Sequence, residues 1–158
     1  MDIIWYPSQN WNTRPFGIKP NFIIIHYTAC DLDTALTILS QPSDYPVSAH
    51  YVIAENGQIY HLVPDTLRAW HAGRSWWKNY ENLNDYSLGI ELVHSGDSSI
   101  AYPDQQMESL ALLCQRKMQE FHIPLEHILG HSDIAPDRKQ DPGEHFNWKW
   151  LRHQLIQV

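Results

Sequence analysis

The stretch Phe22-Ile23-Ile24-Ile25-His26 sets four large apolar residues in a row and ends them on a histidine. A strand sends successive side chains to opposite faces, so such a run is at rest only where both faces are covered. It is too short for an ordinary helix and rich in β-branched residues, which favours a strand. A sheet covered on both sides needs helices to cover it, and the rest of the chain offers them. Asp33 to Leu39 predicts a short helix with Asp33 as N-cap and Leu36 and Leu39 inward. Asp104 to Phe121 places Met107, Leu110, Ala111, Cys114, Met118 and Phe121 on one stripe, with Asp104 as cap and Pro124 as stop. Trp148 to Ile156 predicts a closing helix.

Three further segments predict strands. Ala49 to Val63 has the form of a hairpin about Asn56-Gly57. Ser87 to Val93 and His127 to His131 are short strands, the second again ending on a histidine. Strands alternating with helices, plus one hairpin, indicate an α/β fold: a single domain over 1–158 with a mixed central β-sheet flanked by α-helices. Residues 1–21 predict an irregular lead-in, and residues 64–86 a long connection of the kind that often carries function.

Composition narrows the partners. The net charge of -7 argues against nucleic acid or an anionic membrane surface. No apolar stretch is long enough to span a bilayer, and the first residues lack the features of an export signal, so the expected location is cytoplasmic. Oligomeric state leaves no trace in the sequence. Two cysteines, Cys30 and Cys114, make no disulfide framework; Cys114 falls in the core stripe of a helix.

Ten histidines raise the question of a metal. Strands ending at His26 and His131 would deliver both imidazoles to one sheet edge if they are neighbours, the place where open α/β sheets build their sites. Asp141 returns on the proline-stiffened loop GHSDIAPDRKQDPG. Two histidines and a carboxylate leave one open position on a tetrahedral Zn2+, the catalytic arrangement. Glu91 sits among apolar neighbours in GIELV, where a carboxylate needs a partner or a task. Lys139 shares a side with Asp141 if the loop is extended. Other readings stand beside these. Glu91 could be paired to an arginine, Lys139 could be a solvated charge, and His50, His61 and His71 are ligand candidates that spacing does not rank below His26. His94, His122, His127, His145 and His153 lie at element ends or on polar faces, where exposure is the default.

The stretches FIIIHYTA, VSAHYVIAENGQIYHLVPDTLRAWHAG, NDYSLGIELV and GHSDIAPDRKQDPG, in that order, resemble the zinc-dependent N-acetylmuramoyl-L-alanine amidases of the peptidoglycan-recognition-protein-like fold. The resemblance covers about residues 20–150 and is strongest to the bacterial branch acting on 1,6-anhydro-muropeptides. It implies a zinc hydrolase that cleaves the amide between N-acetylmuramic acid, intact or 1,6-anhydro, and L-alanine of the stem peptide. It implies His26, His131 and Asp141 as ligands, Glu91 as base and Lys139 as oxyanion partner, and it implies that His50 and His71 are not ligands. Trp70 and His71, in AWHAG, match the lining of the family's substrate cleft; Tyr27 and Arg138 are added as candidate substrate-binding residues. The implied partners are peptidoglycan fragments or muropeptides. A non-catalytic peptidoglycan-binding module of the same fold is the alternative, disfavoured because all three ligand positions are filled.

The chain departs from relatives at four positions. Asp141 stands where many phage-type and animal members have a cysteine, and Ala49 where they have a tyrosine. Pro46 and Asn82 stand where some anhydro-specific members have arginines, which suits cleavage of both intact and anhydro-muropeptides.

Overall fold

The computed structural model describes residues 1–156. In chain order its elements are β1 (Ile3–Trp5), β2 (Trp11–Thr13), β3 (Phe22–Tyr27), α1 (Leu32–Ser40), β4 (Tyr51–Ile53), β5 (Ile59–His61) and β6 (Leu67–Ala69). There follow β7 (Trp76–Trp77), β8 (Tyr80–Glu81), β9 (Ser87–Leu92), α2 (Asp104–Phe121), β10 (Ile128–Gly130), α3 (His131–Ile134) and α4 (Trp148–Leu155). Six strands form the central sheet in the order β1-β5-β4-β9-β3-β10. β4, β9, β3 and β10 run parallel to one another, and only the β4–β5 pair is antiparallel. Gly57 turns that hairpin at φ +90°, a conformation glycine adopts freely.

The pleat divides the sheet's side chains into two sets. Ile23 and Ile25 of β3 and Leu88, Ile90 and Leu92 of β9 pack with Leu110, Leu113 and Cys114 of α2 and Leu151 and Leu155 of α4. Phe22 and Ile24 turn the other way, against Ala72, Leu83, Leu129 and Ile134. On that same face Val52 packs with Ala35, Leu36 and Leu39 of α1. Phe22 through Ile25 are fully buried, as the apolar run requires. The α2–α4 face is closed by the long helix α2 and the short helix α4. The opposite face is covered in two pieces, and a cleft opens between Leu39 of α1 and His131 and Arg138 beyond β10.

Several expectations need correction. Residues 1–21 are not wholly irregular: β1 adds parallel to β5 at the sheet edge, and β2 pairs antiparallel with β6. Both are three-residue strands whose partners lie far along the chain, so no local pattern announces them. The N-cap of α1 is Asp31, which accepts from the Thr34 backbone N–H, rather than Asp33. At α2, Pro103 precedes the first turn and Asp104 lies within it, while His122 in a left-handed conformation ends the helix before Pro124. His131 does not end a strand; it opens α3. His94 is buried, with Nε2 donating to the Ile100 carbonyl, and His127 stacks on Phe22 with ring centroids 3.9 Å apart. Cys30 and Cys114 are free, and Cys114 is buried as expected.

Candidate metal centre and active-site cleft

The register of three parallel strands assembles the site. His26 of β3 stands opposite Glu91 of β9, so both side chains leave the same face. Ile25 stands opposite Gly130 of β10, which puts His131 level with His26. Asp141 closes the group from the loop after α3; the backbone N–H of Ser132 donates to its carbonyl at 2.9 Å.

Three donor atoms then converge. His26 Nδ1 lies 3.0 Å from His131 Nδ1 and 3.1 Å from Asp141 Oδ2, and His131 Nδ1 lies 3.2 Å from that same oxygen. Ligand atoms held by a tetrahedral ion at roughly 2.0–2.1 Å stand about 3.3–3.4 Å apart, so the triangle is close to the size such an ion needs. His131 Nε2 donates to the Ala72 carbonyl at 2.9 Å. That bond fixes the tautomer and leaves the Nδ1 lone pair facing the group. Burial pushes the His26 imidazole down to about 4, which keeps it neutral at ordinary pH, the form that binds a cation. The residues fit a metal ion.

Glu91 lies on the same cleft floor. Its Oε2 is shielded from solvent and has no hydrogen-bond partner. Burial, with the Asp141 carboxylate adding to it, pushes the Glu91 carboxyl well above the usual range. Among the described residues no arginine pairs with it. A shielded, unpartnered carboxyl beside a cation site is suited to proton transfer.

The cleft has a volume of about 430 Å³, and its wall includes Tyr27, Trp70, His71, Arg138 and Lys139. Lys139 is exposed and lines the cleft from the loop leading to Asp141. Trp70 is half-buried, its indole N–H donating to Asn12 at 3.1 Å. Tyr27 is half-buried beside His26. Arg138 donates to the Ala72 carbonyl at 3.0 Å and the Arg74 carbonyl at 2.6 Å, so its guanidinium also clamps the 72–74 segment. His71 differs from a simple cleft-lining residue: it is buried, and both ring nitrogens bond to protein, Nδ1 to His26 Nε2 at 2.9 Å and Nε2 to Ser87 Oγ at 3.0 Å. Burial, together with the nearby His26 and His50, pushes it well below its usual range.

The other two histidines with open ligand status lie elsewhere. His50 is fully buried, accepting from the Gly89 N–H at 3.0 Å and donating to the Leu67 carbonyl at 2.9 Å. His61 stacks on Tyr51 near Asp65. Ser87, Gly89 and the Ala72 carbonyl escaped the sequence reading. The one signal for them was a glycine within an otherwise apolar strand, which often marks a close approach.

Comparison with known proteins identifies the family. A profile of the N-acetylmuramoyl-L-alanine amidase family matches residues 16–144. The chain is 42% identical to the 1,6-anhydro-N-acetylmuramyl-L-alanine amidase AmpD of Haemophilus influenzae, over 90% of this chain and 86% of that one. It is 39% identical to the N-acetylmuramoyl-L-alanine amidase AmiD of Escherichia coli over 85% of its own length, and spans about half (52%) of AmiD. A crystal structure of a selenomethionine AmpD derivative superposes with a TM-score of 0.87 at 30% identity, covering 97% of this chain and 94% of that one. The complex of Escherichia coli AmiD with anhydro-N-acetylmuramic acid-L-Ala-D-gamma-Glu-L-Lys superposes at 0.77 with 35% identity, covering 89% of this chain and 60% of that one. With a profile match over most of its length and relatives well above 30% identity, the chain belongs to the N-acetylmuramoyl-L-alanine amidase family.

Proposed function

We propose that this chain hydrolyses the amide between the lactyl group of N-acetylmuramic acid, intact or 1,6-anhydro, and L-alanine of the stem peptide, with zinc held by His26, His131 and Asp141. The observation that carries the reading is the triangle of three donor atoms at 3.0–3.2 Å beside the shielded, unpartnered Oε2 of Glu91. The ligand in the AmiD complex supports the choice of substrate. Two nitrogens and one oxygen suit zinc among divalent ions. When bound, zinc supplies a Lewis acid for a carbonyl oxygen and lowers the pKa of water.

The chain's own groups do the rest. Glu91 takes a proton from water as its oxygen attacks the lactyl carbonyl carbon. Lys139 steadies the negative charge that develops on the carbonyl oxygen. The C–N bond then breaks, and Glu91 returns the proton to the departing L-alanine nitrogen. Burial raises the Glu91 carboxyl well above the usual carboxylate range, which makes it a better proton acceptor than an exposed glutamate. Trp70 and Tyr27 line the approach for sugar and peptide, and Arg138 places a cation there.

The test is mass spectrometry of products from soluble anhydro-muropeptides and from intact peptidoglycan, with wild type, metal-stripped wild type and Glu91→Gln. Free stem peptide from wild type alone is the expected result. Near-full release by either of the other two would refute the assignment. Retention of peptidoglycan with no release by wild type would make the chain a binding module.

A further inference from the structure

We propose that His71 is a positioning residue: with Ser87 it forms a one-way hydrogen-bond chain that turns the Nδ1 lone pair of His26 towards the metal position. The inference rests on the zinc reading above and assigns His71 a task within it.

The direction of the chain follows from its far end. The Leu83 carbonyl can only accept, and Ser87 Oγ lies 2.6 Å from it, so the hydroxyl proton points there. The reverse direction would press two lone pairs together at that distance. Ser87 Oγ, with its proton spent, must accept from His71 Nε2 at 3.0 Å. A neutral imidazole with its proton on Nε2 has a lone pair on Nδ1. His26 Nε2, 2.9 Å from that lone pair, therefore carries the proton. The His26 Nδ1 lone pair is left facing His131 Nδ1 and Asp141 Oδ2. Each proton in the chain is assigned, and none lies between the three donor atoms.

Two other features support this purpose. A Cβ on Gly89 would come within 2.4–2.7 Å of three His71 ring atoms, so the glycine makes room for the ring over β9. Asn84 Oδ1 accepts the backbone N–H groups of His71 at 3.0 Å and Ala72 at 2.8 Å, holding this dipeptide in place. The same dipeptide thus orients both imidazoles: the His71 ring sets His26, and the Ala72 carbonyl sets His131. Partners of this kind fix ligand tautomers and typically contribute 10–100-fold to metal affinity.

Long-range 1H–15N spectra of the metal-free chain read the tautomers directly. His26 and His71 are both expected to carry the proton on Nε2; a proton on Nδ1 of either overturns the proposal. Zinc affinity, measured by competition with a chelator, gives a second test. His71→Phe fills the volume but cannot accept, and is expected to bind zinc roughly 10–100-fold more weakly. His71→Asn, whose amide oxygen falls near the place of Nδ1, should recover most of that loss. A merely structural role predicts the opposite order, with Phe the better substitute. Ser87→Ala removes the end of the chain with little loss of packing and should bring the second His71 tautomer into view. Tight zinc binding by wild type and His71→Phe alike refutes the positioning role alone. A wild-type chain that fails to bind zinc refutes the zinc reading, and the positioning role with it.

Discussion

The two faces of β3 and β9 are made by alternate residues of the same two strands, and they could hardly differ more. On the α2–α4 face stand Ile23, Ile25, Leu88, Ile90 and Leu92, all fully buried against helix side chains. On the cleft face the alternate positions carry Ile24, His26, Gly89 and Glu91. One face stabilises the fold by removing apolar surface from water. The other gives up part of that stabilisation: it holds a shielded carboxyl without a partner, three imidazoles crowded together and a glycine in mid-strand. Because side chains alternate, a residue and its chain neighbour belong to different tasks. The helix face can carry the stability while the cleft face carries the chemistry, and substitutions one position apart should separate the two.

The largest effect expected from this contrast is at Glu91. Glu91→Gln should lower amidase turnover by about 10²–10⁴-fold. Its unfolding midpoint should stay level or rise, since the substitution removes a carboxyl that burial disfavours in its charged form. A large loss of stability in Glu91→Gln would place the residue in the structural set. The neighbouring residue should show the converse. Ile90→Ala should cost about 2–5 kcal/mol in chemical denaturation, because the void lies in a closed core. Zinc affinity of the Ile90→Ala chain under native conditions should stay close to wild type. If Ile90→Ala weakens zinc as much as it weakens the fold, the two faces are coupled and the division fails.

Much of this division is legible in the sequence. The run Phe22–Ile25 requires a sheet covered on both sides, and His26 near the end of β3 and His131 at the start of α3 fall at one edge. The α2 stripe was visible because eighteen residues give its period five turns to show. What escaped had causes that act across the chain. β1 and β2 are three-residue strands defined by partners more than fifty residues away, so their pattern is too short to read alone. Asp33 has the right residue type for a cap, but the chain turns two residues earlier, at Asp31. His94 and His127 looked like surface residues because their cover, Ile100 with Tyr102 and Phe22 with Tyr80, comes from other segments. His71 stood out as a cleft residue, yet its tautomer depends on a carbonyl at Leu83 and a hydroxyl at Ser87, which no spacing reveals.

A smaller effect should appear on acidification, at the histidine that braces the cleft face without joining the site. Burial, with Arg14 beside it, pushes His50 down to about 3 from its ordinary value near 6.5. Its folded-state value is depressed, so the stabilisation is whole above pH 6.5. It declines as pH falls towards 3, because the unfolded chain takes up a proton that the folded chain refuses. The slope approaches about 1.4 kcal/mol per pH unit for this one group. Urea midpoints of the metal-free chain between pH 7 and pH 5 should fall more steeply for wild type than for His50→Asn, whose amide oxygen can still accept from the Gly89 N–H. Parallel lines for the two would remove His50 from the acid response.

The smallest effect tests the division from the far side of the sheet. Asn147 precedes α4, and its side-chain oxygen accepts from the Trp150 backbone N–H at 3.0 Å. Losing such a cap costs about 1 kcal/mol. α4 packs on the apolar face through Leu151 and Leu155, with Trp148 and Trp150 partly buried beside them. Asn147→Ala should therefore shift the denaturation midpoint by that modest amount and leave zinc affinity and turnover as they were. Asn147 follows Asp141 by only six residues, however, and Tyr102 bonds the intervening Pro142 carbonyl at 2.7 Å. If loosening α4 lowered zinc affinity as well, the loop between would be passing strain from the helix face to Asp141. The strict separation of the faces would then hold within the strands but not at the loop that joins them to the metal.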